Sequence, residues 1–337
     1  MISYSFYSIV VVFVILFAAL GGLSSAQTVT PPNFTIALIG DQGLSPTHPN
    51  AVKVLELIRD EGADMVIHSG DFDYLDDPVG WEKQINDTLG PVFPYFASIG
   101  NHDTSKWSVS NGYQQQMRNR LSRIPGANCT GDLGIMSTCT YNGLFFILSG
   151  IGTRGSKPAH ETYIKNQLAQ SDHVWRICSW HKNMGPMQIG SKGDATGWVP
   201  YEACRNQGAL ITTGHDHTYA RTKTLINTTA QTIDPAWPDP FNVRVAPNAT
   251  FVIVSGIAGK SVGKQTRCLP TTPPYGCNGE WASIYTSSQR AKSGALFCSF
   301  NVDGQPNKAH CYFKSINGSV PDRFNITSFV GVATSPG

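Results

Sequence analysis

Short apolar segments alternate along the chain with segments in which apolar residues recur every three or four positions. The first kind predicts buried strands, because strands that are covered on both faces carry apolar side chains in succession. The second kind predicts amphipathic helices, and in the first of these the apolar residues include Val52, Leu55 and Ile58. Strands are predicted at residues 34–39, 65–68, 95–99, 143–148, 174–178 and 209–212, and helices at residues 51–59 and 162–168.

The repeated order of strand, turn and helix predicts an α/β fold with mostly parallel strand pairing. After Arg221 the pattern changes to strands separated by loops rich in proline and glycine, and these strands predict a second, more antiparallel sheet. Residues 227–248 and 260–291 show little periodicity and are predicted to be loops. The later strands are predicted at residues 251–255, 295–301 and 310–314.

Polar side chains follow five of the early strands at the point where each strand ends. Ligands of open α/β sheets bind beyond the carboxyl ends of the strands, so these side chains are expected to converge. A single Asp after a strand is usually a turn former or a helix cap, but five polar clusters at five strand ends are not explained in that way. The clusters are Asp41-Gln42-Gly43, Gly70-Asp71-Phe72-Asp73-Tyr74, Gly100-Asn101-His102-Asp103, Ser179-Trp180-His181 and Gly214-His215-Asp216-His217.

The side chains in these clusters suit first-row metal ions better than a closed structural zinc site. They supply carboxylates, an amide, a phenol and imidazoles, which are oxygen and nitrogen donors. Two ions about 3.5–4 Å apart can bind both the attacking and the leaving oxygen of a phosphoryl group. The sequence therefore predicts a two-metal hydrolytic site, in which one carboxylate bridges the ions.

The composition limits the other functions that the chain could have. It has 337 residues, of which 41% are hydrophobic, so it can bury a large core, and one large domain is favoured over two small ones. The formal net charge is +2, and the Lys and Arg residues are scattered. Nucleic-acid binding is not indicated, because it would require a clustered basic surface.

An apolar run at residues 9–20 is followed by small residues that end at Ala26. This order predicts a secretory signal peptide at residues 1–26 and a single catalytic domain at residues 27–337. The alternative is a membrane anchor, but the run is much shorter than the roughly twenty apolar residues that span a bilayer. We therefore expect no stable membrane anchor, and secretion to the extracellular space or to a vacuolar or lysosomal compartment.

The cysteines and the glycosylation sequons also fit an exported protein. All eight cysteines lie beyond Ala26, and an even number of cysteines in an exported chain predicts disulfides. Proximity in sequence suggests the pairs Cys129–Cys139, Cys268–Cys277 and Cys298–Cys311, which leaves Cys178 and Cys204. No CxxC-type spacing is present, so a cysteine metal cluster is not indicated. Asn-x-Ser/Thr sequons, which predict a glycosylated surface, occur at Asn33, Asn86, Asn128, Asn227, Asn248, Asn317 and Asn325.

The ordered motifs Asp-x-Gly, Gly-Asp-x-x-Tyr, Gly-Asn-His-Asp, a lone His and Gly-His-x-His resemble those of the purple acid phosphatases, within the calcineurin-like metallophosphoesterases. The match runs from Asp41 to His217 and continues through Tyr219 and Arg221. The length of the chain is similar to that of the small, single-domain type. The resemblance implies an α/β fold, namely a four-layer α/β/β/α sandwich of two mixed sheets with flanking helices.

The resemblance also implies a dinuclear metal centre. Its first ion would be Fe(III), and its second would be Fe, Zn or Mn. Asp71 would bridge the two ions. The remaining implied ligands are Asp41, Tyr74 and His217 for the first ion, and Asn101, His181 and His215 for the second.

Some of these assignments have structural alternatives. Tyr74 could instead be an aromatic residue that packs beside Phe72. Cys178 stands where the family usually has Val, and it could be either a small buried apolar residue or a disulfide partner. Asp73 and Asp216 are interpreted as residues that support the surrounding loops.

His102 is implied to lie beside the substrate, where it would bind the phosphate or protonate the leaving alkoxide, oriented by Asp103. The alternative is that it only fixes the loop. The implied reaction is the in-line attack of a metal-bound hydroxide on a small phosphate monoester, as in an acid phosphatase. Three alternatives remain open: a phosphodiesterase or nucleotidase with the same core, a secreted protein that binds metal or phosphate without turnover, and a redox role for an iron pair.

Overall fold

The computed structural model describes residues 1–2 and 29–331. The predicted signal peptide, apart from its first two residues, and the cleavage site after Ala26 lie outside the described residues. The helices are α1 (Asn50–Asp60), α2 (Pro78–Leu89), α3 (Tyr113–Leu121), α4 (Lys157–Gln170) and α5 (Val199–Asn206). The strands are β1 (Phe34–Ile39), β2 (Met65–His68), β3 (Tyr95–Ala97), β4 (Asn128–Asp132), β5 (Met136–Tyr141), β6 (Leu144–Ser149), β7 (Trp175–Trp180), β8 (Leu210–Thr213), β9 (Tyr219–Thr222), β10 (Leu225–Asn227), β11 (Thr232–Ile233), β12 (Asn242–Val245), β13 (Val252–Ser255), β14 (Trp281–Tyr285), β15 (Gly294–Val302), β16 (Gln305–Ser315) and β17 (Asp322–Ser328).

The strands form two large mixed sheets and one short ribbon, β10-β11. The seven-stranded sheet has the order β12-β17-β16-β15-β1-β2-β3, and β1, β2 and β3 pair in parallel. The eight-stranded sheet has the order β14-β9-β13-β8-β7-β6-β5-β4, and β6, β7, β8 and β13 pair in parallel. The five polar clusters follow β1, β2 and β3 in the first sheet and β7 and β8 in the second, all of which are parallel strands.

The two sheets pack face to face, and helices cover their outer faces. Strand β6 illustrates the layering, because its side chains alternate between two separate cores. Phe146 belongs to the core between the sheets, where its ring lies 4.8 Å from that of Phe96 on β3. Phe145 and Ile147 belong to a second core, together with Ile164 of α4. Helices α1 and α3 contact the seven-stranded sheet, and α4 and α5 contact the eight-stranded sheet. The predicted four-layer α/β/β/α sandwich is confirmed.

The prediction of a separate antiparallel sheet after Arg221 is wrong. Strand β13 pairs in parallel with β8, and β15 pairs antiparallel with β1, so the later strands are divided between the two sheets that the earlier strands begin. Each early sheet would otherwise expose an unpaired edge, which the later strands cover. The predicted loops at residues 227–248 and 260–291 contain the short strands β11, β12 and β14.

Four disulfides use all eight cysteines: the three pairs that sequence proximity suggested are confirmed, and the two remaining cysteines, Cys178 and Cys204, form the fourth. Cys178 is thus both buried and disulfide-bonded, and its bond to Cys204 joins β7 to α5. Four disulfides fit an exported protein. Among the described residues, no helix combines the length and the apolar character needed to cross a bilayer.

Candidate metal centre

The predicted ligands lie together at the edge where the parallel strands of both sheets have their carboxyl ends. Asp41, Asp71 and Asn101 follow β1, β2 and β3, while His181 and His215 follow β7 and β8. Contacts join the two groups: the backbone N–H of His215 donates to Asp41 Oδ2 over 2.8 Å, and His181 Nε2 lies 3.1 Å from Asp71 Oδ2. The parallel strands therefore bring residues that are far apart in sequence to one site.

Asp41, Tyr74 and His217 form a compact triangle of donor atoms. The Tyr74 hydroxyl lies 2.9 Å from Asp41 Oδ1 and 3.2 Å from His217 Nε2, and these two atoms are 3.2 Å apart. Neighbouring ligands of an octahedral ion with bonds of about 2.1 Å lie roughly 3.0 Å apart. The three atoms thus have the spacing of one face of an octahedral site. The Tyr74 ring packs beside that of His102, at 4.5 Å, whereas Phe72 stacks on Trp81.

Asp71, His181 and His215 form a second group, in which the donor atoms all lie within 4.8 Å of one another. His181 Nδ1 is 2.8 Å from the carbonyl oxygen of Ser69, so it carries the proton and donates there, while Nε2 faces Asp71 and makes no hydrogen bond. The buried Oδ1 of Asn101 also accepts no hydrogen bond. Buried polar atoms are rarely left without partners, so these atoms fit a bound cation.

The electrostatics of the site favour positive charge. Burial lowers the pKa of His181, but the carboxylates of Asp71 and Asp41 outweigh it and raise that pKa to about 9, so a proton, or a metal cation in its place, is favoured at Nε2. Burial raises the pKa of the Tyr74 phenol well above its ordinary value, and the carboxylates of Asp41 and Asp71 raise it further. Tyr74 therefore needs a strong cation beside it to become a phenolate ligand.

The backbone at the site is held in a conformation that non-glycine residues seldom adopt. Asp41, Asp71, Tyr74 and His215 have φ values of 59°, 60°, 60° and 66°, in the left-handed region. Such residues persist where the surrounding structure determines them, and they concentrate at functional sites. Gly100 is required beside them, since a Cβ there would lie 2.2 Å from Asp71 Oδ1.

Residues 34–219 match the family model described as calcineurin-like phosphoesterase. This segment is more than half of the chain, and it contains every predicted metal ligand. The chain belongs to the calcineurin-like phosphoesterase family. Its family uses a dinuclear metal centre, and the grouped donor atoms of Asp71, His181 and His215 could hold a metal ion.

Solved structures of distant sequence share the fold of this phosphoesterase. Purple acid phosphatase PPD1 from seeds of yellow lupin (Lupinus luteus) matches 89% of the chain with a TM-score of 0.63 and 16% identity, and the chain spans only 55% of that protein. The match to PhoD covers 90% of this chain and 71% of PhoD, with a TM-score of 0.53 and 12% identity. The match to GAP50, the anchor in the inner membrane complex of Plasmodium, covers 88% of this chain and 89% of GAP50, with a TM-score of 0.51 and 14% identity. No curated protein sequence matches the chain significantly.

Two residues that the sequence did not single out support the candidate metal site. Ser261 Oγ pairs with His217 Nδ1, which directs His217 Nε2 toward Tyr74 and Asp41. Asn183 Nδ2 donates to the carbonyl oxygen of Gly214, the residue before His215, over 2.8 Å. Ser261 lies in a predicted loop without periodicity, so no pattern marked it. Asn183 follows the lone His by two positions, and this proximity was its only signal.

The two predicted catalytic residues differ in their surroundings. His102 is exposed and lines a cavity of about 220 Å³ together with metal-ligand candidates. Asp103 is fully buried, and its carboxylate accepts hydrogen bonds from the backbone N–H groups of Asp71, Phe72 and Gly100. Among the described residues, the hydrogen bonds of the Asp103 carboxylate thus go to the turns after β2 and β3 rather than to the His102 side chain. Asp216 likewise supports a loop, because it accepts hydrogen bonds from the backbone of residues 189 and 190.

Proposed function

We propose that the protein is a phosphatase of the purple acid phosphatase type that hydrolyses phosphate monoesters. The observation that carries the proposal is the pair of neighbouring donor groups: the first has the spacing of metal ligands, and the second includes buried atoms without hydrogen-bond partners. The lupin phosphatase, whose fold is similar, supports the choice of this type. Asp41, Tyr74 and His217 would hold one ion, Asn101, His181 and His215 would hold the other, and Asp71 would be shared.

The metal pair, when bound, would neutralise the phosphate and lower the pKa of a coordinated water. The chain's own residues would position the ester. His102 reaches the cavity through an exposed ring, and its backbone N–H donates to Asp71 Oδ1 over 2.8 Å, which fixes the start of its side chain. From this position the imidazole would donate a hydrogen bond to the phosphate or a proton to the leaving oxygen.

Tyr74 supports Fe(III) as the ion in the first group. A trivalent ion would best offset the burial and the two neighbouring carboxylates that keep the phenol protonated. An iron–phenolate pair would absorb visible light. The second ion would be Fe, Zn or Mn, because a carboxylate, an amide and two imidazoles suit each of them.

We also propose that residues 27–337 act as one exported catalytic domain after removal of the signal peptide. The four disulfides support export. Six of the seven sequon asparagines are exposed, as glycosylation requires. The exception is Asn86, which is half-buried and whose Oδ1 accepts a hydrogen bond from Arg120 over 2.7 Å. Asn86 would therefore remain unmodified.

The test compares two substrates on the purified, metal-analysed protein. A phosphatase should hydrolyse an aryl phosphate with a kcat/KM at least about tenfold above that for a bis-aryl phosphodiester. The opposite preference would assign the protein to the phosphodiesterases or nucleotidases with the same metal core. Bound metal with no turnover of either ester would favour a binding protein, and the Asp71→Ala variant supplies the background rate.

A further inference from the structure

The cavity at the metal centre is lined by two lysines in addition to the proposed ligands and His102. These are Lys192 and Lys260, and among the described residues that line the cavity Asp71 is the only acidic one. Asp71 is already assigned to the metals, so the two ammonium groups lack a carboxylate partner within the described lining of this cavity. Their positive charge is available to a ligand.

Lys260 is held in place at both its backbone and its side chain. Its backbone N–H donates to the carbonyl oxygen of Asp41 over 3.1 Å. Its Nζ lies 2.8 Å from His48 Nε2 and 4.6 Å from the centre of the Tyr74 ring. An ammonium group has three N–H donors, so at least two remain for a ligand after the contact with His48. His48 and Tyr74 thus hold a preorganised cation at the edge of the metal site.

Lys192 lies on a different segment, and that segment is also anchored. The fully buried amide of Gln188 clasps the backbone of Lys192, because its Nε2 donates to the Lys192 carbonyl and its Oε1 accepts from the Lys192 N–H. Asp216, between two proposed metal ligands, binds the backbone N–H groups of Ile189 and Gly190. The Lys192 backbone is therefore fixed, while its side chain is exposed at the cavity.

The charge of the site points to a substrate with more than one phosphate. Three anionic ligands and the attacking hydroxide would leave one positive charge on a trivalent and a divalent ion, and a phosphate dianion would exceed that charge by one. The ammonium groups of Lys192 and Lys260 together supply two positive charges, so one of them remains unmatched. A simple alkyl or aryl leaving group cannot pair with a lysine, whereas a second phosphate on the leaving group would accept charge-assisted hydrogen bonds from both lysines.

We propose that Lys192 and Lys260 form an anion subsite that selects diphosphates, namely substrates whose leaving group is itself a phosphate. This inference rests on the proposed phosphatase function and narrows its substrate class. Water attacks the terminal phosphorus, the bond from that phosphorus to the bridging oxygen breaks, and the bridging oxygen departs with the electron pair. The products are orthophosphate and a shorter phosphate, and the proton that the water loses is taken up by solvent or product. The two lysines stabilise the charge that develops on the departing phosphate.

The first experiment measures binding rather than turnover. Methylenediphosphonate and methylphosphonate are titrated calorimetrically into the purified protein with its native metals, and the ratio of their Kd values is the readout. The wild type should bind the diphosphonate at least about tenfold more tightly. Lys192→Met and Lys260→Met should each reduce this ratio by roughly three- to tenfold, and the preference should weaken as KCl is added. Lys264→Met, at an exposed lysine outside the cavity lining, should keep the wild-type ratio.

The second experiment compares kcat/KM for pyrophosphate and for an aryl phosphate in the same variants. The ratio of the two values should fall in parallel with the binding ratio, and Lys260→Arg should restore part of it because the charge returns. Metal content and Tm, measured for each variant, separate loss of the subsite from loss of the fold. Equal binding of both phosphonates by the wild type, or an unchanged ratio in the Lys192→Met/Lys260→Met variant, would overturn the inference. If the subsite fails this test but the protein hydrolyses aryl phosphate, the proposed phosphatase function still stands. If the protein does not hydrolyse aryl phosphate, the proposed function itself is overturned.

Discussion

The carboxylate of Asp103 accepts a hydrogen bond from the backbone N–H of Asp71 over 2.9 Å. The same carboxylate binds the backbone N–H of Phe72 over 2.8 Å and that of Gly100 over 2.7 Å. Asp103 therefore joins the turn after β2 to the turn after β3. Because the backbone of Asp71 is in the left-handed region, these bonds stabilise a conformation that the residue would otherwise seldom adopt.

We predict that Asp103→Asn weakens metal binding and stability together. The amide replaces one acceptor oxygen with an N–H₂ group that faces backbone donors, so at least one buried hydrogen bond is lost, at a cost of about 1–3 kcal/mol. Metal analysis after dialysis should find less bound metal than in the wild type, and urea unfolding should give a lower free energy of unfolding.

Asp60→Asn, at an exposed residue of α1, is the control for the loss of a carboxylate and should behave like the wild type. The alternative, predicted from the sequence, is that Asp103 orients His102. If Asp103→Asn keeps its metal and stability but slows hydrolysis only for poor leaving groups, Asp103 acts on His102 rather than on the loop of Asp71.

Tyr74→Phe should abolish the visible absorption band of the purified protein. The substitution removes the phenol oxygen 2.9 Å from Asp41 Oδ1 but keeps the ring that packs beside His102. We expect the hydrolysis rate to fall at least about tenfold, because a proposed ligand of the first ion is lost. The measurement is an absorption spectrum together with metal analysis. A wild-type protein that is colourless and contains only zinc or manganese would refute the assignment of Fe(III).

Ser261→Ala tests whether the hydroxyl that pairs with His217 Nδ1 orients the ring. Such partners of metal-binding histidines typically contribute 10- to 100-fold to metal affinity or activity, and we expect a loss of about that size. The readout is the concentration of chelator that removes half of the metal. Ser122→Ala, whose hydroxyl donates to a backbone carbonyl on the exposed surface of α3, should require the wild-type concentration.

The sequence predicted most of the proposed metal site because its residues lie directly after apolar strands. Asp41, Asp71 and His215 each follow a strand that is buried along almost its whole length. An apolar run that ends in a polar residue is a local signal, and the parallel pairing of such strands needs no further information to bring their ends together. For these elements the local pattern and the tertiary structure agree.

Other parts of the molecule depend on tertiary contacts that no local pattern encodes. Strand β12 is four residues long and pairs with β17, more than seventy residues later, so its sequence alone resembles a loop. Lys192 and Lys260 come from irregular segments, where only the fold brings them to one cavity. Helix α2 was missed although it has a recognisable start: Asp77 caps it by accepting the N–H of Gly80, and Pro78 occupies its first turn.

Glu61, at the end of α1, offers a test of pH dependence away from the metal site. Its carboxylate accepts hydrogen bonds from Tyr312 over 2.6 Å and from Lys314 over 2.5 Å, both on β16. Burial alone would raise the pKa of Glu61, but the bonds from Lys314 and Tyr312 outweigh it and hold that pKa below its ordinary value of 4.5. A carboxyl whose pKa is lower in the folded state stabilises the fold above its unfolded pKa.

We therefore predict that Glu61→Gln lowers the free energy of unfolding by at most about 1 kcal/mol at neutral pH. The difference from the wild type should shrink as the pH falls below 4.5 and through the folded pKa of Glu61, because the wild-type carboxylate then binds a proton as well. Urea unfolding of both proteins from about pH 7 to about pH 3 measures this. In the Lys314→Met background the same substitution should have a smaller and flatter effect. A difference between Glu61→Gln and the wild type that grows toward acid pH would contradict the assigned ion pair.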